Sequence, residues 1–457
     1  MTLVAGGQEA AQVDNVLPYP DQALFLALRG AGQEAVMQVL WIYEHPLDLD
    51  GLRRFHENFS RGVLARRIEP SPLPFGRHRW VASGPPPEID ICDRPRDRGD
   101  LHTWADEQVD LPLDPQWGPG WRLGVQPFTD GSTAVSLVVS HCIADGGAVV
   151  IAVMHAIMGM HRQLGYPEPR SRTRLRALGA DLRQFGRDLP EIGRTLRKGI
   201  KVALARRKEI TSRPKSALPA VAGGGEVAHV PSVSVFVDSA QWDQRAGSLG
   251  GNSFSLVAGY AGKVAQHLNR TRKADGMATL IIPVDEREDF SDAAGNVVAL
   301  ANVSFDPARV TEDLTEARTA IREALKKARA VPDEMIELLP LIPFLPKRAI
   351  APMADAALGF SADLPVSCSN MGDLPPDCLR VDGTPAEYLT FRGVDRRVLR
   401  ETLERRSGLL TVASGRVSGR IINTIISYQP GGDNSQEHLR EVALQSLTDF
   451  GLSGEVL

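Results

Sequence analysis

The stretch from Val138 to Gly147, "VVSHCIADGG", ends an apolar run with His141 and then places Asp145, Gly146 and Gly147 four to six residues on. Histidine titrates near pH 6.5, so a neutral imidazole can take a proton from an alcohol, amine or thiol at physiological pH, a role worth roughly 100 to 10,000-fold in rate. Strand parity puts Val135, Leu137, Val139 and His141 on one face, with Ser136, Val138, Ser140 and Cys142 on the other. A histidine closing an apolar face stands where strand gives way to loop, a frequent place for a reactive group. By itself His141 reads equally well as a core histidine. The two glycines after Asp145 permit a sharp change of direction. Cys142 faces away from His141 and reads as a small core residue, not a nucleophile. His155 and His161 follow on the next helix and read as packing or surface residues. No cluster has metal-ligand spacing, and no glycine loop follows a strand in the phosphate-cradling pattern.

Mixed α and β elements must position this motif. "VMQVLWIYEH" has strand composition, and Asp50 to Phe59 is a helix with Leu52, Phe55 and Phe59 on one side. "WRLGVQPF" and "STAVSLVVSH", separated by "TDG", read as a hairpin whose second strand feeds the motif. Ala148 to Met160 is apolar on nearly every side, as a buried helix is. A second block opens with strand "SVSVFVD". It continues through a helix with Asn252 at its N-cap, strands "ATLIIPVD" and "NVVALANVSF", helix "LTEARTAIREALKKARA" and a Pro-punctuated helical stretch near 333 to 357. Strand "LPVSCSN", strands near 387–393, 408–415 and 419–428, and a helix from Gln436 to Phe450 complete it.

A chain of 457 residues exceeds one hydrophobic core, and 43% hydrophobic with 24% charged residues describes an ordinary globular protein. The boundaries predicted are 1–165 for a first subdomain, 166–225 for a basic helical connection and 226–457 for a second subdomain. The net charge of −4 gives no hint of a nucleic-acid partner, and none is expected. Four cysteines, none at C-x-x-C spacing, argue against a disulfide framework. The first fifteen residues lack the basic start and apolar core of a signal peptide, and no apolar run is long enough to span a bilayer. The expected location is cytoplasmic, with room for membrane contact from that side.

The ordered set of motifs resembles the coenzyme A-dependent acyltransferase superfamily. This group includes peptide-synthetase condensation domains, polyketide-associated acyltransferases and wax ester synthase/diacylglycerol acyltransferases. "SHCIADG" is similar to the family's H-H-x-x-x-D-G, "LPYPDQALFLAL" to its opening, "IIPVDEREDFSDAAGN" to its Pro-Val-x-x-Arg and Gly-Asn segment, and "VSCSNMG" to its Ser-Asn-x-Gly strand end. The resemblance covers most of the chain. It implies an α/β (α+β) fold of two chloramphenicol-acetyltransferase-like subdomains, mixed sheets flanked by helices, with a groove between them. His141 falls on the family's catalytic second histidine, and Ser140 replaces the first. Asp145 and Gly146 fall on the structural part of the motif, with Arg287 as the expected partner of Asp145. Asn296 and Asn370 are candidates to meet an oxyanion or substrate, each equally suited to capping a turn. The implied reaction moves an acyl group from a coenzyme A or carrier-protein thioester to an alcohol, with no bound cofactor and the phosphopantetheinyl or acyl-CoA thioester as co-substrate. The resemblance of the middle basic helices and the C-terminal region to the wax ester and diacylglycerol type favours a lipid-like acceptor. A condensation-type enzyme of natural-product assembly and a non-catalytic binder of acyl chains or a partner are the alternatives, the latter kept open by Ser140.

One segment is not absorbed by that scheme. Residues 170–208 hold thirteen Lys or Arg against three acids, a local excess of +10. Leu175, Leu178, Leu182, Phe185, Leu189, Ile192 and Leu196 recur at three and four, as one stripe of an amphipathic helix. Gly179, Gly186 and Gly193 weaken that helix, and Pro190 is expected to break or kink it. The stripe must dock on the protein's own second block or, alternatively, on an anionic membrane face or an acidic carrier protein.

Overall fold

The structure, a computed structural model, describes residues 14–32, 34–162, 164–210, 225–287, 294–330, 336–346, 350 and 364–457. The first half runs α1 (Tyr19–Ala31), β1 (Glu34–Tyr43), α2 (Leu49–Ser60), β2 (Arg66–Glu69), β3 (Arg79–Ala82), β4 (Asp90–Ile91), α3 (Leu101–Asp110), β5 (Trp121–Pro127), β6 (Thr133–Ser140) and α4 (Gly146–Ile157). Helix α5 (Arg174–Ile210) links it to β7 (Ser232–Asp238), α6 (Ser239–Ser248), α7 (Ser253–His267), β8 (Ala278–Asp285), β9 (Val298–Phe305), α8 (Thr315–Ala330), β10 (Val366–Asp373) and β11 (Tyr388–Arg396). Then come α9 (Arg400–Arg405), β12 (Leu409–Val417), β13 (Arg420–Tyr428), α10 (Gln436–Asp449) and β14 (Glu455–Val456). The expected helical stretch near 333 to 357 is described only in part, as a 3-10 helix Ile336–Phe344 containing Pro340 and Pro343; the rest lies largely outside the described residues, as does most of the "VAGGG" end of the connection.

Two mixed sheets, each flanked by helices, carry the fold. The first has the order β11-β1-β6-β5-β4 and the second β14-β7-β13-β12-β10-β8-β9. The β5–β6 hairpin forms over Thr129–Gly131, where Gly131 takes φ +89°, a conformation that favours glycine. Every residue of β6 is buried, which explains its unbroken apolar character better than simple alternation would. The helix starts follow side-chain chemistry. Asn252 and Ser255 form a reciprocal capping box on α7, while Asp48, Asp145 and Asp238 accept from main-chain N–H groups at the starts of α2, α4 and α6.

One strand passes between the two predicted subdomains. β11 leaves the second block and pairs antiparallel with β1 over nine residues, Val39 opposite Phe391, so it is an edge strand of the first sheet. Buried Arg392 fastens this exchange, donating to Gln38 at 2.8 Å, Ser232 at 2.6 Å and Asp106 at 2.5 Å. The second core packs α7, α8 and α10 on one face of the large sheet, with Leu280, Ile282 and Val303 among its buried residues. The alternate residues Ile281, Pro283 and Leu300 face the other way, toward a cavity between the two sheets.

Pro190 does not break α5, which is continuous across it. Pro190 and Gly186, whose carbonyl loses its partner, are both exposed, so water can satisfy that group. The stripe meets the second block only in part: Phe185 packs against Phe344 and the neighbouring Lys198 pairs with Glu337, while Leu175, Leu178, Leu182, Leu189 and Leu196 stay exposed. The buried residues of α5 are instead Ala177, Asp181, Asp188 and Thr195. Asp181 is paired with Arg79 at 3.1 Å and Arg172 at 3.0 Å.

Candidate active site

β6 ends at Ser140, and His141 opens the turn that leads to α4. The turn is fixed by its main chain. His141 N–H donates to the Ala35 carbonyl at 2.9 Å, Ile143 N–H to Ser140 at 3.0 Å, and Asp145 N–H to Gly295 at 2.9 Å. The Ser140 hydroxyl accepts from Cys142 N–H at 3.4 Å and is fully buried, so the serine in place of a first histidine serves the turn.

His141 is half-buried and lines a cavity of about 400 Å³ between the sheets. Its walls are mostly aliphatic and aromatic, with Leu24, Met37, Val149, Val153, Ile281 and Phe391 contributed by five different elements. The ring's Nδ1 is enclosed and has no hydrogen-bond partner among the described residues. Among the described residues no carboxylate orients this imidazole, Asp145 being turned elsewhere. Its carboxylate accepts from Ala148 N–H and Val297 N–H at 2.9 Å each and pairs with Arg287 at 2.9 Å, the two side chains being 4% and 3% exposed. Arg287 also donates to the carbonyls of Ala294 at 3.1 Å and Gly295 at 3.0 Å and to Asp285 at 3.1 Å. A buried pair of this kind persists only when most of its remaining donors and acceptors are met, and here both terminal nitrogens of Arg287 are met by Asp145, Asp285 and the 294–295 carbonyls, while its Nε has no partner among the described residues. Gly147 is required by this closeness: a Cβ there would stand 2.5 Å from Asp285 Oδ2 and 2.8 Å from Arg287 Nη1.

The two candidate asparagines take other places. The Asn296 side-chain amide donates to Asp21 at 2.7 Å and to the His141 carbonyl at 2.9 Å, so both its hydrogens are committed to positioning the turn and neither is free for an oxyanion. Asn370 does not line the cavity; its carboxamide oxygen accepts from Gly372 N–H at 2.9 Å. Alternation along β10 explains this, since Ser367, Ser369 and Met371 face the cavity and Asn370 lies between them. The Cys142 thiol is fully buried and is pushed up to about 12 by that burial, which leaves it un-ionised. His155 is buried in α4, and His161, beyond its end, bonds Asn58 at 2.8 Å. Among the described residues there is no group of three or more side chains suited to a metal ion.

Two further residues belong to the site. Arg66, almost completely buried, donates to the Ile143 carbonyl at 2.7 Å and lies over the Trp80 ring at 4.5 Å. Asp21 in α1 is fully buried, and one of its oxygens accepts from Asn296 while the other has no partner among the described residues. Burial pushes its carboxyl up to about 7, against the opposing hydrogen bond from Asn296 and the nearby charge of Arg66. The neighbouring Gly295 lets this carboxyl approach, since a Cβ there would sit 2.3 Å from Asp21 Oδ1. Asp21 reads in sequence as an ordinary first-turn acid; only the glycine-asparagine pair at 295–296 carries a signal of close approach.

No protein-family model and no curated protein matches the sequence. Solved structures match its fold over nearly the whole chain. The first condensation domain of the CDA synthetase aligns with a TM-score of 0.57 at 14% identity, covering 97% of this chain and 99% of that one. Polyketide synthase associated protein 5 from Mycobacterium tuberculosis aligns at 0.52 and 15% identity, covering 94% and 98%. The starter condensation domain of rhizomide synthetase aligns at 0.52 and 10% identity, covering 95% of each chain. The chain therefore has the two-subdomain fold of the condensation domains and of this polyketide-synthase-associated protein, the fold that the sequence resemblance implies.

Proposed function

We propose that the protein is an acyltransferase in which His141 is the general base, moving an acyl group from a thioester to a lipid-like alcohol. The observation that carries this is the histidine's place: a ring on a rigid turn, lining an apolar cavity at the seam of two sheets, with the motif aspartate committed to Arg287. With Nδ1 enclosed, Nε2 is the nitrogen that meets the acceptor. It takes the hydroxyl proton as the acceptor oxygen bonds to the thioester carbonyl carbon. The tetrahedral intermediate then collapses, the carbon–sulfur bond breaks, and the imidazolium returns the proton to the departing thiolate. No acyl-enzyme is needed, in keeping with a Cys142 thiol held in its neutral form.

The aliphatic walls suit an acyl chain and an apolar acceptor better than a charged amino-acid acceptor. With Asn296 committed elsewhere, the hydroxyls of Ser367, Ser369 and Thr411, which line the same cavity, are candidate donors for the oxyanion. The thioester is carried by coenzyme A or by a phosphopantetheinyl carrier protein. Incubation with acyl-CoA and acyl-carrier thioesters of several lengths, each with long-chain alcohols, diacylglycerol or aminoacyl acceptors, tests the assignment by mass spectrometry. Ester products from apolar alcohols support it. Amide products alone would replace it with a condensation-type reaction, and no product from any pair would favour a non-catalytic binder.

A further inference from the structure

We propose that α5 seats the protein on an anionic lipid surface through a face that the fold leaves outward. Three stripes run along this helix. Ala177, Asp181, Asp188 and Thr195, spaced by four, seven and seven, face the protein and are buried. Leu175, Leu178, Leu182, Leu189, Leu196 and Ile200, spaced by three, four, seven, seven and four, form a second stripe, and each is between 37 and 82% exposed. Arg176, Arg183, Arg187 and Arg194, spaced by seven, four and seven, form the third. These arginines, with Arg174 and Arg197, are exposed and make no ion pair with any described residue.

A helix that merely shields a core turns its leucines inward. Here the inward stripe is held by polar bonds, Asp181 to Arg79, Arg172 and Ser71, so the leucines are left as a continuous strip some seven turns long. Contiguous apolar surface bordered by charge marks an interaction face, whereas single exposed leucines do not. Charge identifies the occupant. Between residues 174 and 200 the acids are Asp181, Asp188 and Glu191, and the first two are buried, so six exposed arginines face outward against one exposed glutamate. Two copies meeting through this face would set arginine against arginine; an acidic headgroup layer neutralises them while the leucines enter its apolar boundary. Gly179, Gly186 and Gly193 lie between the two outward stripes with nothing within 4 Å of their added Cβ positions, so bare backbone separates leucine from arginine.

The apolar strip also leads toward the cavity. Phe185 of α5 stands 4.8 Å from Phe75 and 6.2 Å from Phe344, ring centre to ring centre, and Phe344 ends the 3-10 helix whose Ile336 and Leu339 line the same cavity as His141. That a membrane-dissolved alcohol reaches His141 along this wall rests on the acyl-transfer reading; the seating does not.

Flotation of the full chain with vesicles of phosphatidylcholine, with and without phosphatidylglycerol, tests the proposal. Expected are flotation only with the acidic vesicles, release by added salt, and at least a tenfold fall in partitioning for Leu182→Gln/Leu189→Gln/Leu196→Gln and for Arg183→Gln/Arg187→Gln/Arg194→Gln. Both variants should keep wild-type circular dichroism and melting, since the changed side chains touch solvent. His141→Ala should float as wild type does, which separates a failure of seating from a failure of the chemistry. Absence of wild-type flotation, or unchanged flotation of both triple variants, overturns the proposal. So does a dimer in sedimentation that the leucine variant dissolves, because the strip would then be covered by a second copy.

Discussion

Arginine does opposite work in two regions of this molecule. Around the His141 turn, Arg66 and Arg287 are buried and hold the carbonyls of Ile143, Ala294 and Gly295 and the carboxylate of Asp145. Along α5, Arg174, Arg176, Arg183, Arg187, Arg194 and Arg197 are exposed and make no ion pair with a described residue. A buried guanidinium must have its donors met, so each one pins the segments it touches; an exposed one pins nothing and is left for a partner. Rigidity at the chemistry and availability at the surface thus come from one side chain in two settings.

The comparison breaks first at Arg287. Arg287→Ala strands the Asp145 carboxylate and should cost ~3–5 kcal/mol in denaturant unfolding, whereas Arg187→Gln on α5 should stay within about 0.5 kcal/mol. Equal losses would mean that burial does not separate the two sets. Asn296→Ala comes next. It leaves the His141 carbonyl and Asp21 without their shared donor, a loss of about 1–3 kcal/mol, and turnover should fall further than melting temperature does. A variant with normal turnover would remove Asn296 from the positioning of the turn.

A further expected effect, read as a slope and not as a loss at one pH, is a pH dependence at Asp21. An unfolded aspartate titrates near 3.9, and the folded carboxyl is held at about 7 by burial. The folded state therefore keeps a proton that the unfolded state has released, and stability falls as pH rises across that interval. Asp21→Asn, which still offers an oxygen to Asn296, should gain melting temperature relative to wild type as pH rises from about 4 to 7, with the difference level above that. A difference independent of pH would contradict this titration of Asp21.

Local chemistry made much of this legible. The "TDG" hairpin, the Asn252 cap and the turn after the apolar run depend on neighbours in sequence, and each forms where its residues point. What escaped depends on meetings across hundreds of residues. β11 reads as a strand of the second block, yet its partner is β1, and nothing in "YLTFRGVDR" names that partner. Asp21 joins the site only because α1 lies against the segment carrying Gly295 and Asn296. Asn370 misled for a local reason, since a one-residue step along a strand reverses the face and Ser369 takes the cavity side. The stripe on α5 was correctly periodic, but periodicity does not say which stripe turns inward when buried aspartates can find arginines.

The central claim is that His141 takes the acceptor's proton. Thiol release from an acyl thioester in the presence of an accepted alcohol, compared between wild type and a folded His141→Ala variant, tests it most directly. A fall of roughly 100-fold or more in kcat/KM is the predicted result. Release at the wild-type rate from the variant would contradict the account.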